Sequence, residues 1–161
     1  MIDLDDIDRA ILRALQNDGS LSAAALAKKV DLSQPAAWRR VKRLETAGVI
    51  LGRRLVLDKA RLGFDVTVFL GIKLGTKGRV SLEDFERAII AIPEVQLVQH
   101  VLGLYDYRVK VVARNLADFE RVLRRRIMSL PGVANVEANV LLSEERRHGP
   151  LGAYSEPEQH S

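Results

Sequence analysis

The amino-acid sequence predicts an α+β protein with a helical N-terminal part and a C-terminal part in which strands and helices alternate. Up to about residue 50, apolar residues recur at intervals of three and four, which is typical of amphipathic helices. From Val66 onwards the chain contains β-branched apolar runs that are typical of strands, with two helical stretches between them. This change of period divides the chain into two predicted domains.

Three helices are predicted in the N-terminal part, and the last two are joined by a short turn at Asp31. Each helix follows a residue whose side-chain oxygen can accept an N–H of the first turn. These predicted N-caps are Asp5, Ser22 and Ser33. Asp8, three residues after the first cap, completes a capping box. Two helices joined by such a turn are typical of a helix-turn-helix.

The third helix has one apolar face and one cationic face. Ala37, Val41 and Leu44 recur at helical spacing and form a stripe that can pack against the other helices. Pro35 lies in the first turn, where its missing N–H costs nothing, and Gly48 ends the helix. The opposite face carries basic side chains, which are Arg39, Lys42 and Arg43. A capped helix with a basic face is suited to the major groove of DNA.

Residues 48–51 and 53–57 are largely apolar, and they predict a short strand pair, the wing, that leads into a linker ending near Gly63. The N-terminal part is therefore predicted to be a winged helix-turn-helix. The expected organisation is a DNA-binding domain at 1–50, a wing and hinge linker at 51–63, an αβ domain at 64–143 and a flexible tail at 144–161.

An internal repeat indicates the fold of the C-terminal domain. Residues 82–87 (Leu-Glu-Asp-Phe-Glu-Arg) recur with one change as residues 116–121 (Leu-Ala-Asp-Phe-Glu-Arg). The predicted strands are 66–74, 95–102, 107–113 and 133–143, and the predicted helices are 82–92, capped by Ser81, and 116–129. The order β-α-β-β-α-β predicts a ferredoxin-like αβ sandwich.

The composition excludes several kinds of function. The 161 residues include no cysteine, which excludes disulfides, thiolate zinc sites and a cysteine nucleophile. The net charge of +4 favours anionic partners only weakly. No apolar run is long enough to span a membrane, and the acidic N-terminus is unlike a secretory signal. We therefore expect a soluble cytoplasmic protein with no membrane partner.

The residues that usually carry catalysis do not form a recognisable pattern. His100, His148 and His160 lack the spacing of metal ligands. The glycines form no phosphate loop or dinucleotide fingerprint, and the serines form no nucleophile elbow. The sequence therefore predicts a protein that is not an enzyme and that holds neither a metal nor a cofactor. His100 lies on a predicted strand, where we expect a packed or interface residue.

From residue 4 to residue 142 the chain resembles the Lrp/AsnC family of transcription regulators. The resemblance rests on the order and spacing of several motifs. These are Leu4-Asp-Asp-Ile-Asp-Arg-Ala-Ile-Leu12, Asn17-Asp-Gly19, Leu32-Ser33, Arg40-Val-Lys-Arg-Leu-Glu45, Gly48-Val-Ile50, Gly103-x-x-Asp-Tyr107 and Leu130-Pro-Gly-Val133. It implies a winged helix-turn-helix, a ligand-sensing αβ domain and a homodimer whose sheets pack together. Members of the family often form octamers and bind amino acids in clefts between dimers.

The resemblance implies that the third helix enters the major groove, with Gln34 and Arg39 as the expected readers of base edges. The expected DNA-binding residues are Ser33, Gln34, Pro35, Trp38, Arg39, Lys42, Arg43 and Arg54, with Arg53 as an alternative to Arg54. The other interpretation is an ordinary solvated basic face. Trp38 is compatible with packing against the first helix or with contact to a sugar. Arg40 is compatible with an ion pair to an acid of the first helix.

The resemblance also places a small-molecule site at the turn 103–106. The expected effector-binding residues are Gly103, Leu104, Tyr105, Asp106, Met128, Val136 and Ala138. Asp106 is expected to pair with an α-amino group, although Gly and Asp are also ordinary turn formers. Leu104 stands where the family frequently has an acid, and the large Arg126 stands at a position linked to the response. These departures leave open an effector other than leucine, or none.

We therefore expect a sequence-specific DNA-binding transcriptional regulator that responds to an amino acid or a related metabolite. A homodimer, or an octamer built from it, would recognise a pseudo-palindromic site on double-stranded DNA. Two alternatives remain open. A tetrapyrrole-binding decarboxylase of the same two-domain architecture would use His100, and a metabolite-binding module would lack DNA binding. The basic third helix argues against both.

Overall fold

The structure, a computed structural model, describes residues 3–75 and 82–145. It divides into two compact units, of which the first extends to Val56 and the second runs from Leu57 to Glu144. The predicted cap at Ser81, the loop at 76–80 and the predicted flexible tail from residue 146 onwards lie outside the described residues. Within the two described ranges, no helix is long and apolar enough to cross a membrane.

The first unit contains three helices, which are α1 (Asp6–Asn17), α2 (Ala23–Lys29) and α3 (Gln34–Thr46). All three predicted N-caps are confirmed. The cap side chains of Asp5, Ser22 and Ser33 accept hydrogen bonds from the N–H groups of Asp8, Ala25 and Ala36 at 2.8, 3.2 and 3.4 Å, respectively. The Asp8 carboxylate accepts in return from the Asp5 N–H at 3.1 Å, so the predicted capping box is complete.

The apolar stripe of α3 packs against the other two helices. Ala37, Val41 and Leu44 are all buried, which confirms the predicted stripe. Val41 and Leu44 belong to one cluster, whose other buried members are Ile11, Leu12 and Leu26. This packing, together with the caps, determines which face of α3 is left on the surface.

Two residues in the left-handed region of the backbone set the limits of α3. Asp31 has a φ of 54° and turns the chain between α2 and α3, a conformation that a short polar side chain tolerates. Gly48 has a φ of 72° and follows the C-cap residue Ala47, as predicted. The short turn and the stop together define the helix-turn-helix.

The predicted wing is wrong, because residues 50–57 contain no strand. Only Gly52 separates the two predicted strands, whereas a β-hairpin needs a turn of at least about two residues. The side chains of Leu51, Leu55 and Val56 are consequently almost fully exposed rather than packed in a ribbon. The helix-turn-helix is therefore present without a strand pair after it.

The second unit has the predicted order β-α-β-β-α-β. Its elements are β1 (Val66–Leu74), α4 (Leu82–Ile90), β2 (Val95–His100), β3 (Tyr107–Ala113), α5 (Leu116–Val122) and β4 (Val133–Val140). The sheet has the order β2-β3-β1-β4, and all neighbours are antiparallel. After α5 the chain continues as a π-helix through Leu123–Ile127, which accounts for the extra length of the second repeat.

The two faces of the sheet have different surroundings. Residues of one parity on β1, namely Val68, Leu70 and Ile72, are buried in a core with apolar side chains of α4 and α5, such as Phe85 and Phe119. Residues of the other parity point away from this core, because successive side chains of a strand alternate. These are Phe69, Gly71 and Lys73.

Candidate DNA interface and effector site

The exposed face of α3 carries most of the predicted DNA-binding side chains. Ser33, Gln34, Pro35, Trp38, Arg39 and Lys42 are all exposed. Trp38 is 56% exposed, so it lies on the surface of the unit and not in the core between α1 and α3. An exposed indole beside basic residues suits contact with a nucleic acid better than internal packing.

The cations of this face differ in how they are held. Lys42 pairs with Glu45 at 2.7 Å on the surface, and exposed pairs of this type are weak and readily exchanged. Arg39 makes no ion pair with any residue in the described ranges, so its guanidinium is available to an external anion. Arg53 and Arg54 are exposed in the segment that was predicted to form the wing.

Two arginines of α3 face α1. Arg40 donates hydrogen bonds to Asp5 at 2.6 Å and to Asp8 at 3.0 Å, so the interpretation of Arg40 as an ion-pair partner of helix α1 is confirmed. Arg43 donates to the other oxygen of the Asp8 carboxylate. The sequence missed this second contact, since Arg43 lies at the border of the cationic face.

The carboxylates that receive these arginines are the capping residues of α1. The Asp8 side chain is 0% exposed, whereas the Asp5 side chain is half-exposed. The Asp8 backbone N–H and then the Arg40 guanidinium lower the pKa of Asp5 to about 2. Both carboxylates therefore carry charge at neutral pH.

In the second unit, the turn 103–106 lies against β1. The Asp106 carboxylate accepts a hydrogen bond from the Lys73 ammonium at 2.8 Å and another from the Leu74 N–H at 2.8 Å. The Lys73 contact, followed by the Leu74 contact, lowers the pKa of Asp106. Sequence reasoning missed Lys73, although it is the single charged residue in the apolar run 66–74.

Tyr105 lies over Gly71 and reaches across to β4. A Cβ at residue 71 would lie only 2.6 Å from the nearest ring atom of Tyr105, so the ring needs a glycine beneath it. The Tyr105 hydroxyl donates to Glu137, which also accepts from Asn139 at 3.2 Å. The hydrogen bond to Glu137 raises the pKa of Tyr105. Gly103 and Leu104 are exposed in the same turn.

The remaining predicted effector residues lie on the other face of the sheet. Val136 is paired with Ile72, and Ala138 with Leu70, and directly paired residues of an antiparallel sheet share a face. Glu137, beneath Tyr105, is paired with Gly71 on the opposite face. Met128 follows the π-helix and is exposed. One chain therefore does not bring all seven predicted residues into a single cavity.

His100 and the acidic residues do not form a metal site. The His100 ring stacks on Tyr107, with 4.8 Å between ring centroids, and the residue is exposed at the end of β2. Among the described residues, no group of three His, Cys, Asp or Glu side chains is placed to hold a metal ion.

A capped helix-turn-helix with an exposed basic helix, in a chain that also contains a ferredoxin-like αβ unit, defines a two-part DNA-binding regulator. Two family models match the chain in this order. An AsnC-type helix-turn-helix domain matches residues 4–45, and an Lrp/AsnC ligand binding domain matches residues 67–151. The chain therefore belongs to the Lrp/AsnC family, and it is a transcriptional regulator.

Similar proteins agree with this membership. A proline dehydrogenase transcriptional activator of Rhizobium radiobacter is 38% identical over 91% of this chain and 94% of its own length. A leucine-responsive regulatory protein of Haemophilus influenzae is 37% identical over 89% and 87% of the two chains. A transcriptional regulator of Neisseria meningitidis, solved as a complex with L-Met, has a TM-score of 0.85 and 26% identity, covering 91% of this chain and 94% of its own.

Proposed function

We propose that this protein is a cytoplasmic, non-enzymatic regulator that binds a specific pseudo-palindromic DNA site through α3 and responds to an amino acid. The observation that carries the proposal is the combination on α3 of a buried apolar stripe with an exposed face containing Gln34, Trp38, Arg39 and Lys42. The stripe holds the helix, and the exposed face is available to the major groove.

The chemistry of this face supports both kinds of DNA contact. Arg39, which makes no ion pair within the described ranges, can read guanine with two parallel hydrogen bonds. Lys42 exchanges its surface partner Glu45 for phosphate at little cost. Gln34 lies at the N-terminal end of the helix, where recognition helices contact bases. Arg54 is exposed and supplies a further phosphate contact.

Salt-dependent DNA binding tests this proposal. A duplex is selected from a random library with the wild-type protein, and its Kd is measured by fluorescence anisotropy at increasing salt concentration. Each lost phosphate contact reduces the slope of log K against log salt by about 0.9. We expect Arg39→Ala to weaken binding by about ten-fold or more, as for loss of one base-reading arginine. Salt-independent binding, or an Arg39→Ala variant that binds like wild type, contradicts the proposal.

We propose that the second unit mediates self-association through the sheet face that points away from its core. Half-buried Phe69 and exposed Leu97 lie on this face, and apolar side chains on a surface favour association. Size-exclusion chromatography with light scattering measures the mass. A dimer or a multiple of it supports the proposal, and a monomer of 17.9 kDa contradicts it.

For the effector, the turn 103–106 is the proposed site, and its occupancy involves a competition. Both Asp106 oxygens already accept hydrogen bonds, so an α-amino group binds there by displacing the Lys73 ammonium. Thermal shift with each amino acid, on the wild type and on Asp106→Ala, tests this. A shift that is retained in full by Asp106→Ala contradicts the role of the carboxylate, and the absence of any shift contradicts sensing of amino acids.

A further inference from the structure

We propose that the capping box of α1 is also a clamp that positions the recognition helix, and that Arg43 acts in this clamp instead of contacting DNA. The clamp consists of Asp5, Asp8, Arg40 and Arg43. The proposal rests on the proposed DNA-binding function of α3 and assigns different roles to its arginines.

The geometry of the clamp leaves each carboxylate oxygen with a defined partner. Asp8 accepts from Arg40 through one oxygen at 3.0 Å, and from Arg43 and the Asp5 N–H through the other. Asp5 accepts from Arg40 at 2.6 Å and from the Asp8 N–H at 2.8 Å. The start of α1 and one side of α3 are thus joined by two carboxylates and two guanidiniums, whose charges cancel.

Burial of Asp8 explains why Arg43 stays in the clamp. A buried carboxylate that loses a hydrogen-bonding cation is strongly destabilised, since its charge is then poorly compensated. The Asp8 side chain is 0% exposed, and the Arg43 side chain is 50% exposed. Moving Arg43 to a phosphate would therefore cost far more than moving Lys42, whose partner Glu45 lies on the surface.

The consequence is a division of labour along one helix. Arg39 and Lys42 supply contacts to DNA, whereas Arg40 and Arg43 set the rotation and tilt of α3 against α1. Base readout depends on side chains that reach base edges in a fixed geometry, so a looser helix loses discrimination between sequences. General attraction to phosphates depends mainly on the number of cations, and a looser helix retains it.

The experiment compares Arg43→Ala, Asp8→Asn and Arg39→Ala in the full-length protein. Affinities are measured for the duplex selected with wild type and for a scrambled duplex of the same length and composition, in a salt series. Arg39→Ala is the matched control, because it removes the same charge from the same helix. Trp38 fluorescence and the titrated active fraction correct for any unfolded protein. If Asp8→Asn does not fold, Arg43→Ala carries the test, since Asp8 then keeps its bond from Arg40.

We expect Arg43→Ala to leave the salt slope unchanged and to reduce the ratio of specific to scrambled affinity by about ten-fold, as for loss of one charge-assisted hydrogen bond. Asp8→Asn should reduce the same ratio while steepening the slope by about 0.9, because the released Arg43 then reaches a phosphate. Arg39→Ala should flatten the slope by about 0.9.

The proposal is overturned if Arg43→Ala flattens the slope as much as Arg39→Ala does, because Arg43 is then a direct phosphate contact. It is also overturned if Arg43→Ala and Asp8→Asn weaken binding to both duplexes equally, because the cluster then serves stability alone. A wild type that does not distinguish the two duplexes overturns the proposed function as well. These three results can be told apart within one data set.

Discussion

Replacement of Gly71 by alanine tests how closely the turn 103–106 packs on the sheet. A Cβ at this position would lie 2.6–2.7 Å from three ring carbons of Tyr105. Non-bonded carbons pack at about 3.5–4.0 Å, so the ring has to move by about 1 Å. That movement separates the Tyr105 hydroxyl from Glu137, the acceptor of its hydrogen bond.

The expected cost combines three contributions. Overpacking typically costs about 1–3 kcal/mol, and the lost hydrogen bond costs on the order of 0.5–1.5 kcal/mol within that change. Alanine in place of glycine inside a strand stabilises by roughly 0.5–1 kcal/mol. We therefore expect Gly71→Ala to lower the free energy of unfolding of the second unit by about 1–2 kcal/mol. In a Tyr105→Ala background, the same change should be neutral or stabilising.

A double-mutant cycle measures this coupling. Urea unfolding of the four proteins is followed by far-UV circular dichroism, which reports the whole chain. Trp38 is the single tryptophan and lies in the first unit, so its fluorescence transition should be the same in all four proteins. A cost of Gly71→Ala that is equal with and without the Tyr105 ring would refute the reasoning, because the ring would then not be the group that the Cβ meets.

Three further predictions concern other parts of the molecule. Leu44→Ala should lower the stability of the first unit by about 2–5 kcal/mol, measured by Trp38 fluorescence, because the side chain is 0% exposed; a loss below about 1 kcal/mol contradicts this. Lys73→Met should raise the affinity for an amino acid, measured by calorimetry, by up to about five-fold, since it removes the surface competitor for Asp106; weaker binding would show that Lys73 itself holds the effector. The folded-state pKa of Asp5 is lowered from 3.8 to about 2, so its stabilisation is complete above pH 4 and is lost as the pH falls to about 2. Asp5→Asn should therefore lower Tm at neutral pH and flatten its decline over that range, and parallel Tm curves would contradict this.

The elements of the fold were predictable where the signal is local. Caps at Asp5, Ser22 and Ser33 bond to N–H groups three residues ahead, so both partners are visible in the sequence. The repeat of 82–87 at 116–121 predicted two copies of a strand-helix-strand unit, and the antiparallel four-stranded sheet confirms that order. The wing was wrong, because apolar composition alone does not supply a strand with a partner.

The candidate site was predictable only in part, for a related reason. Exposure of Arg39 and Lys42 follows from the rotation of α3, which the buried stripe determines. Arg43 lies at the border of that stripe, and rotation alone does not distinguish a contact with DNA from a contact with α1. Lys73 and Glu137 were missed because each contacts a residue of the turn 103–106 that is more than thirty positions away in the chain.

The sequence by itself determined the two domain classes, the family and the amphipathic character of the recognition helix, because helical period, caps and repeats are properties of neighbouring residues. Only the tertiary structure decided which charges are already paired. Asp8 meets Arg43 from 35 positions away, and Asp106 meets Lys73 from 33 positions away. Such pairs form when packed helices and strands bring distant residues together, and burial then decides which of them can be exchanged for a ligand or DNA.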